Sequence, residues 1–148
     1  MENKVTLEQD VLSDMDGFSP RPIIINEWEP VADILSEAFQ WKGSKIDWDS
    51  LLRHVVRPIK FDSMQVDFDV KEFIKDSGLY EFLNKKDKIY YINDSSLDFA
   101  VSLDPKIFLE FVGYVIHNIP QHHYFFDESA KWCLAITSEG YIDFGVRN

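Results

Sequence analysis

Cys133 is the single cysteine in 148 residues, so the chain has no internal disulfide and no cysteine-built zinc cage to staple it. Hydrophobic burial alone must hold the fold. Glycine is scarce as well, six in all. No GxGxxG, GxxxxGK[ST] or GxSxG run occurs, which removes the phosphate-cradling loops and the nucleophile elbow. No apolar run approaches the ~18 residues that cross a bilayer, so no membrane-spanning helix is expected. The opening MENKVTLEQD carries acids and lacks the basic start and apolar stretch of a secretory signal, and the expected setting is soluble and cytoplasmic. Positive charge is also short, with 15 Lys and Arg against 26 Asp and Glu and a net charge of −11.

The deficit is concentrated at the amino end. Residues 1–50 hold 11 acids against 4 bases, residues 51–100 hold 9 against 8, and residues 101–148 hold 6 against 3. Such a field repels phosphate backbones and draws basic surfaces towards it, so direct nucleic-acid binding is disfavoured and a basic partner favoured. The same charge also serves simply to keep a protein dispersed.

What is present is an aromatic-rich, 45% hydrophobic chain of a length that suits one domain with one core. Residues 1–22 are polar and end in the Pro20-Arg21-Pro22 breaker, and they read as an arm or irregular lead-in. Ile23 to Ile25 make a short β-branched strand. After Asn26, a candidate cap, Val31, Ile34, Leu35 and Ala38 repeat at helical spacing with Glu29, Asp33 and Glu37 on the other side. KIDWDSLLRHVVRP reads as a second helix, with a Trp48, Leu51, Leu52, Val55 stripe that ends before Pro58. Residues 59–69 are ambiguous. Residues 70–83 read as one interrupted helix or two short helices around Gly78.

The second half has clearer periods. Residues 88–93 and 97–103 are expected to pair as a hairpin, the latter alternating Leu97, Phe99, Val101 and Leu103 with smaller or polar residues, as on a strand with one buried face. Asp104-Pro105 starts a helix running to about Asn118 with a Phe108, Phe111, Val112, Val115, Ile116 stripe. Trp132, Leu134 and Ile136 then share one strand face and Cys133, Ala135 and Thr137 the other, with Ser138-Glu139-Gly140 as the turn into Tyr141 to Phe144. The whole predicts an α+β fold, residues 1–148 as a single domain, with an antiparallel sheet of about four to five strands packed against helices.

Chemistry-bearing residues are present without chemistry-bearing spacing. Cys133 lies between large apolar neighbours, where a thiol behaves as a small hydrophobe. His122 and His123 are adjacent and point to opposite faces of an extended strand, and no HExxH or HxH spacing links them to His54 or His117. Asp14 and Asp16 before Gly17 mimic part of a calcium loop whose first and last ligands would fall on Leu12 and Ile23. No metal, no cofactor and no catalytic set is therefore expected. The one recurring theme is an indole between carboxylates, Glu27-Trp28-Glu29 and Asp47-Trp48-Asp49. Acids at helix starts are favoured by the dipole by roughly 0.3–1 kcal/mol each. Aromatic anchors ringed by acids also suit a basic protein partner.

Residues 90 to 145, with a helix ending in Ile119-Pro120, then HHYFF, WCL and EGYIDFG, resemble the C-terminal half of immunity proteins encoded beside polymorphic toxins, including those of contact-dependent growth-inhibition systems. A weaker likeness at residues 23 to 57 follows the strand, helix, loop and DWDSLL helix order of barstar-like inhibitors. The resemblance implies a cytoplasmic, non-enzymatic protein that binds and neutralises one cognate basic toxin, typically a nuclease. The expected toxin-binding acids are Asp14, Asp16, Glu27, Glu29, Asp33, Asp47 and Asp49. Two alternatives stay open: a non-catalytic regulatory or scaffold interaction module, and a small enzyme centred on His122, His123 and Asp143.

Overall fold

The computed structural model describes residues 4–83, 87–94 and 96–148. In chain order these form α1 (Lys4–Asp14), β1 (Ile23–Ile25), α2 (Glu29–Ala38), β2 (Trp41–Lys42), β3 (Lys45–Ile46), β4 (Arg53–Pro58), α3 (Val66–Ser77), β5 (Ile89–Asn93), β6 (Ala100–Leu103), α4 (Phe108–Asn118), β7 (His123–Asp127), β8 (Trp132–Thr137) and β9 (Tyr141–Val146). Short 3-10 turns cover Met15–Gly17, Trp48–Ser50, Leu79–Phe82 and Pro105–Ile107. Among the described residues, seven strands make one antiparallel sheet in the order β1-β6-β5-β7-β8-β9-β4, and β2 and β3 form a separate hairpin. The α+β class is as expected from sequence, but the sheet is wider than four to five strands.

The extra width at one edge comes from residues 53–58, expected as helix. Trp48, Leu51, Leu52 and Val55 fall at helical spacing, yet β4 pairs with β9 through all six of its residues, Arg53 with Val146 to Pro58 with Tyr141. Pairing along a complete strand outweighs a local helical stripe that would bury only one side. Leu52 is left exposed and Trp48 sits in a 3-10 turn. The barstar-like order of elements fails at this point, because DWDSLL is no helix.

Of the lead-in expected at residues 1–22, residues 4–22 are no irregular arm, while residues 1–3 lie outside the described residues. Within them, α1 places Val11 and, just beyond it, Met15 and Phe18 in the main core, with Leu7 packed alongside. These positions lie four and three apart, a helical stripe that pays for ordering the segment by apolar burial. Asn26 does not cap α2. The helix begins at Glu29 with Pro30 in its first turn, and Trp28 stands at the cap position without a side-chain bond.

Elsewhere local rules hold. Asp104 caps the turn into α4, its Oδ1 accepting from the Lys106 N–H at 2.9 Å. Gly78 ends α3 at φ +86, a left-handed conformation that other residues resist, so the interruption expected there is real. β5 and β6 pair as expected, although the strand itself starts at Ala100 and both of its faces are buried. The reason is that the sheet is covered on both sides. Among the described residues α1, α3 and α4 lie over the face that carries Val101, Leu103, Phe125, Trp132, Leu134, Ile136, Ile142 and Phe144. Over the opposite face, with Ala100, Tyr124, Phe126, Cys133 and Ala135, lie α2, the β2–β3 hairpin and the Trp48–Ser50 turn.

Candidate functional site

Small side chains on that second face shape what covers it. At Gly145 an added Cβ would meet the Trp48 ring at 2.7 Å and collide with Leu51 Cδ1. Glycine therefore lets the Trp48 indole descend onto β9, and the ring stacks on the imidazole of His54, the residue of β4 paired with Gly145, with centroids 4.9 Å apart and planes 9° from parallel. His54 Nε2 in turn lies 2.7 Å from Asp143 Oδ2. Burial pushes the Asp143 carboxyl above its ordinary range, against the opposing pull of its bond to His54.

Two clefts open on this face. The larger, about 480 Å³, runs between α2, the β2–β3 hairpin and the segment after β5, with Trp28, Trp41, Asp94, Asp98, Phe99 and Tyr124 among its walls. The smaller, about 200 Å³, has Asp143, Thr137, Lys45, Glu139, Trp48 and Tyr124 on its walls. Tyr124 belongs to both, and Trp41 packs edge-on against it at 6.1 Å. Burial pushes the Tyr124 phenol well above its usual range, with the charges of Cys133, Asp94, Glu139 and Asp143 adding to the effect. At the mouth of the smaller cleft Lys45 Nζ bonds Glu139 Oε2 at 2.8 Å, and this bond holds the Glu139 carboxyl below its usual range.

The smaller cleft gathers polar groups without an activated nucleophile. Its Tyr124 phenol keeps its proton, and Thr137 Oγ1 donates to the Tyr141 carbonyl at 3.5 Å. Cys133 is fully buried, and desolvation together with the Asp143 charge pushes its thiol far above the reactive range. His122, His123 and Asp143 do not come together. The buried His123 lies on the three-helix face, where Nδ1 meets Tyr91 Oη at 2.7 Å and the ring also bonds the Ile119 backbone, tying the end of α4 to the sheet. Burial lowers its pKa to about 4. Asp143 faces the other way, and His122 Nδ1 accepts from the Ser138 N–H at 3.0 Å. Among the described residues no three His, Cys, Asp or Glu side chains are grouped to hold a metal ion.

The seven acids singled out from sequence divide between the two sides of the sheet. Asp14 ends α1 and Asp16 lies in the 3-10 turn that follows it, on the three-helix side, and both are engaged there. Asp14 Oδ2 accepts from Tyr114 Oη at 2.7 Å, and Asp16 pairs with Arg21 at 2.7 Å. Glu27, Glu29, Asp33, Asp47 and Asp49 lie with α2 and the Trp48 turn on the cleft side, Asp47 half-buried with Lys42 3.9 Å away. Glu29, Asp33 and Glu37 follow each other at four-residue steps along α2, exposed, and among the described residues no ion pair engages them or Glu27.

Trp41, Tyr124, Asp94 and Asp98 were not singled out from sequence, since their groove is assembled from four separated segments. The only local signal was the tryptophan between carboxylates, and Trp28, 37% exposed, does line that groove. Compared with known proteins, the sequence matches no protein-family model and no curated relative.

Proposed function

We propose that this chain is an immunity-type inhibitor, a non-catalytic cytoplasmic protein that binds and neutralises a cognate basic toxin, a nuclease being the kind of target its charge suits. The docking side is the one carrying α2, the β2–β3 hairpin and the two clefts. The observation that carries the reading is the Glu29, Asp33, Glu37 ladder beside an aromatic groove. Like charges one helical turn apart cost about 0.2–0.5 kcal/mol per pair, and no nearby base among the described residues relieves them. Glu29, in the first turn, gains from the helix dipole, but Asp33 and Glu37 further along bring folding no such return, whereas the whole ladder favours a positively charged partner, both in encounter rate and in exclusion of wrong partners.

Asp14 and Asp16 drop out of the proposed interface, being on the far side of the sheet and already bonded. Glu27, Glu29, Asp33, Asp47 and Asp49 remain, and Glu37 joins them. The likeness of residues 90 to 145 to immunity proteins supplies the biological setting and no contact residue.

Co-expression with the protein encoded beside it tests the reading. Rescue of growth and co-purification of the two chains are expected. Unchanged toxicity together with no complex overturns the proposal. Charge reversal at Glu29, Asp33 and Asp49 is expected to slow association and flatten its salt dependence while unfolding in urea stays a single cooperative transition. Unaltered association removes this side of the sheet from the interface.

A further inference from the structure

We infer that the outer edge of β4 is a docking strand for an extended acidic segment of a protein partner, which adds to the sheet as one more strand; this goes beyond the docking reading above and does not depend on it. β4 stands at one end of the sheet, and among the described residues β9 is its sole strand partner. An open edge of this kind is a template for a further strand. The register tells which backbone groups face outward. Ile59 continues the β4–β9 ladder opposite Gly140 and donates its N–H to the Gly140 carbonyl at 2.7 Å. Hydrogen-bonded and non-hydrogen-bonded pairs alternate along an antiparallel ladder. Arg57, Val55 and Arg53 therefore bond inward to β9, and His54 and Val56 turn their N–H and C=O groups outward, where no hydrogen bond engages them among the described residues. Pro58 takes the next outward position, where its missing N–H costs the β9 ladder nothing. Leu52, Val56 and Val55 are 67%, 51% and 37% exposed, so the edge is open to a guest.

Charge along the edge selects the guest. Between Asp49 and Asp62 the chain carries Arg53, Arg57 and Lys60 and no acid, although its net charge is −11. Arg53 donates to the Ser77 carbonyl at 3.3 Å and lies over the Phe82 and Phe144 rings, and among the described residues no carboxylate pairs with it. Arg57 lies over Phe73 and meets Asp76 at 3.5 Å, both side chains about half exposed. A guanidinium carries five N–H donors, so each keeps donors to spare for a neighbouring strand. Carboxylates of a guest opposite Arg53 and Arg57 gain cross-strand ion pairs, whereas like charges directly opposite are destabilising. The same rule disfavours a second copy. Two β4 strands paired about Val55 would set Arg53 against Arg57, and pairing about Val56 would set His54 against Pro58, which has no N–H to give. The edge is opposite in sign to the α2 ladder, so the two surfaces suit different segments.

The test uses 15N-labelled protein at low salt and three capped peptides titrated to millimolar concentration. Gly-Glu-Thr-Val-Thr-Glu-Gly places acids opposite both arginines, Gly-Lys-Thr-Val-Thr-Lys-Gly reverses the charge, and Gly-Glu-Pro-Val-Pro-Glu-Gly keeps the acids but lacks the N–H groups that would meet β4. The His54 and Val56 amide signals report the edge directly. Saturable shifts and slowed amide exchange at both are expected with the first peptide, with binding at least about fivefold weaker for the lysine peptide and none for the proline one. Val56→Pro removes an outward donor at a position where an edge strand accepts proline. It should abolish the response at His54 while unfolding in urea stays a single cooperative transition. Arg53→Gln with Arg57→Gln should weaken binding at least about fivefold. No response to the acidic peptide, equal binding of the lysine or proline peptide, or full binding by folded Val56→Pro overturns the inference. So does a dimer in sedimentation that Val56→Pro dissociates, because the occupant of the edge is then a second copy.

Discussion

The two faces of the sheet are built from the same strands and differ in what those strands present. Alternation along β8 puts Trp132, Leu134 and Ile136 on one side and Cys133, Ala135 and Thr137 on the other, and β9 likewise alternates Ile142 and Phe144 with Asp143 and Gly145. The large side chains are covered by three helices and interlock into a continuous core, in which Phe125 meets Phe108, Phe111 and Tyr91. The small ones are covered by one helix, a two-residue-strand hairpin and a turn, whose own aromatic rings reach down to the sheet. Where Trp48 finds Gly145 the fit is close, and where Trp41 meets Tyr124 a groove is left beside it. One face thus carries the continuous core, and the other carries the two clefts walled by tryptophan.

The largest effect should come from truncation on the three-helix side. Phe125→Ala is expected to cost about 3–5 kcal/mol, since its neighbours are locked on several sides and cannot close the cavity. Leu35→Ala in α2, equally buried in the native state, should cost less, about 2–3 kcal/mol, because its surroundings border open clefts and can settle. Urea denaturation of both variants decides the matter. A Leu35 cost equal to or above that of Phe125 would break the contrast.

Titration should separate the faces by sign. His123 has a folded pKa near 4, below the 6.5 of an ordinary histidine, so between those values the unfolded chain takes up a proton that the folded chain refuses. Stability therefore falls as pH drops from about 6.5 to 4, by at most about 3 kcal/mol. On the other face the Asp143 carboxyl titrates above its ordinary range because it is buried, so the folded chain is the one that holds its proton, and stability falls as pH rises through that window. Unfolding measured across pH 3–7 for His123→Gln and Asp143→Asn should lose opposite contributions. Parallel changes in the two variants would refute the assignment.

The packing of Trp48 offers a finer probe of the cleft face. Gly145→Ala places a methyl against the Trp48 ring and Leu51, and a loss of about 1–3 kcal/mol is expected as both are displaced. Tryptophan fluorescence and the His54 ring resonances should change with it, since the stack on His54 is broken. An unperturbed spectrum would mean that the turn gives way at no cost.

How much of this was legible beforehand depended on whether a residue's partner lay nearby in the chain. The period of α4, its Asp104 cap and the parity of β8 are local and were read correctly. So is the burial of Cys133, which follows from its immediate neighbours. Leu7 and Val11 of α1 and Met15 just beyond it follow at four-residue steps, a readable stripe, but the acids between them and the Pro20-Arg21-Pro22 breaker argue for an arm. β4 was misread because the competing signal, pairing with β9, lies some ninety residues away. The same distance hides the His54–Asp143 contact. The acidic character of α2 was evident, whereas its distribution was not. Only the sheet shows that Asp14 and Asp16 belong to one face and Glu29, Asp33 and Glu37 to the other.

The smallest effect on stability is the one that speaks most directly to function. Asp33 stands one turn from both Glu29 and Glu37, so Asp33→Lys exchanges two repulsive neighbours for two attractive ones. The folded state should gain about 0.5–1 kcal/mol, read as a small rise in urea midpoint with an unchanged slope. Association with a basic partner should move the other way, slower and less sensitive to salt, because a cation now stands in the middle of the anionic stripe. A variant that is more stable and binds less well places the ladder's cost in the isolated protein and its return in the complex. If Asp33→Lys were neutral or destabilising, the carboxylates would already be relieved within the chain, and the cleft face would lose the electrostatic reason for regarding it as the docking side.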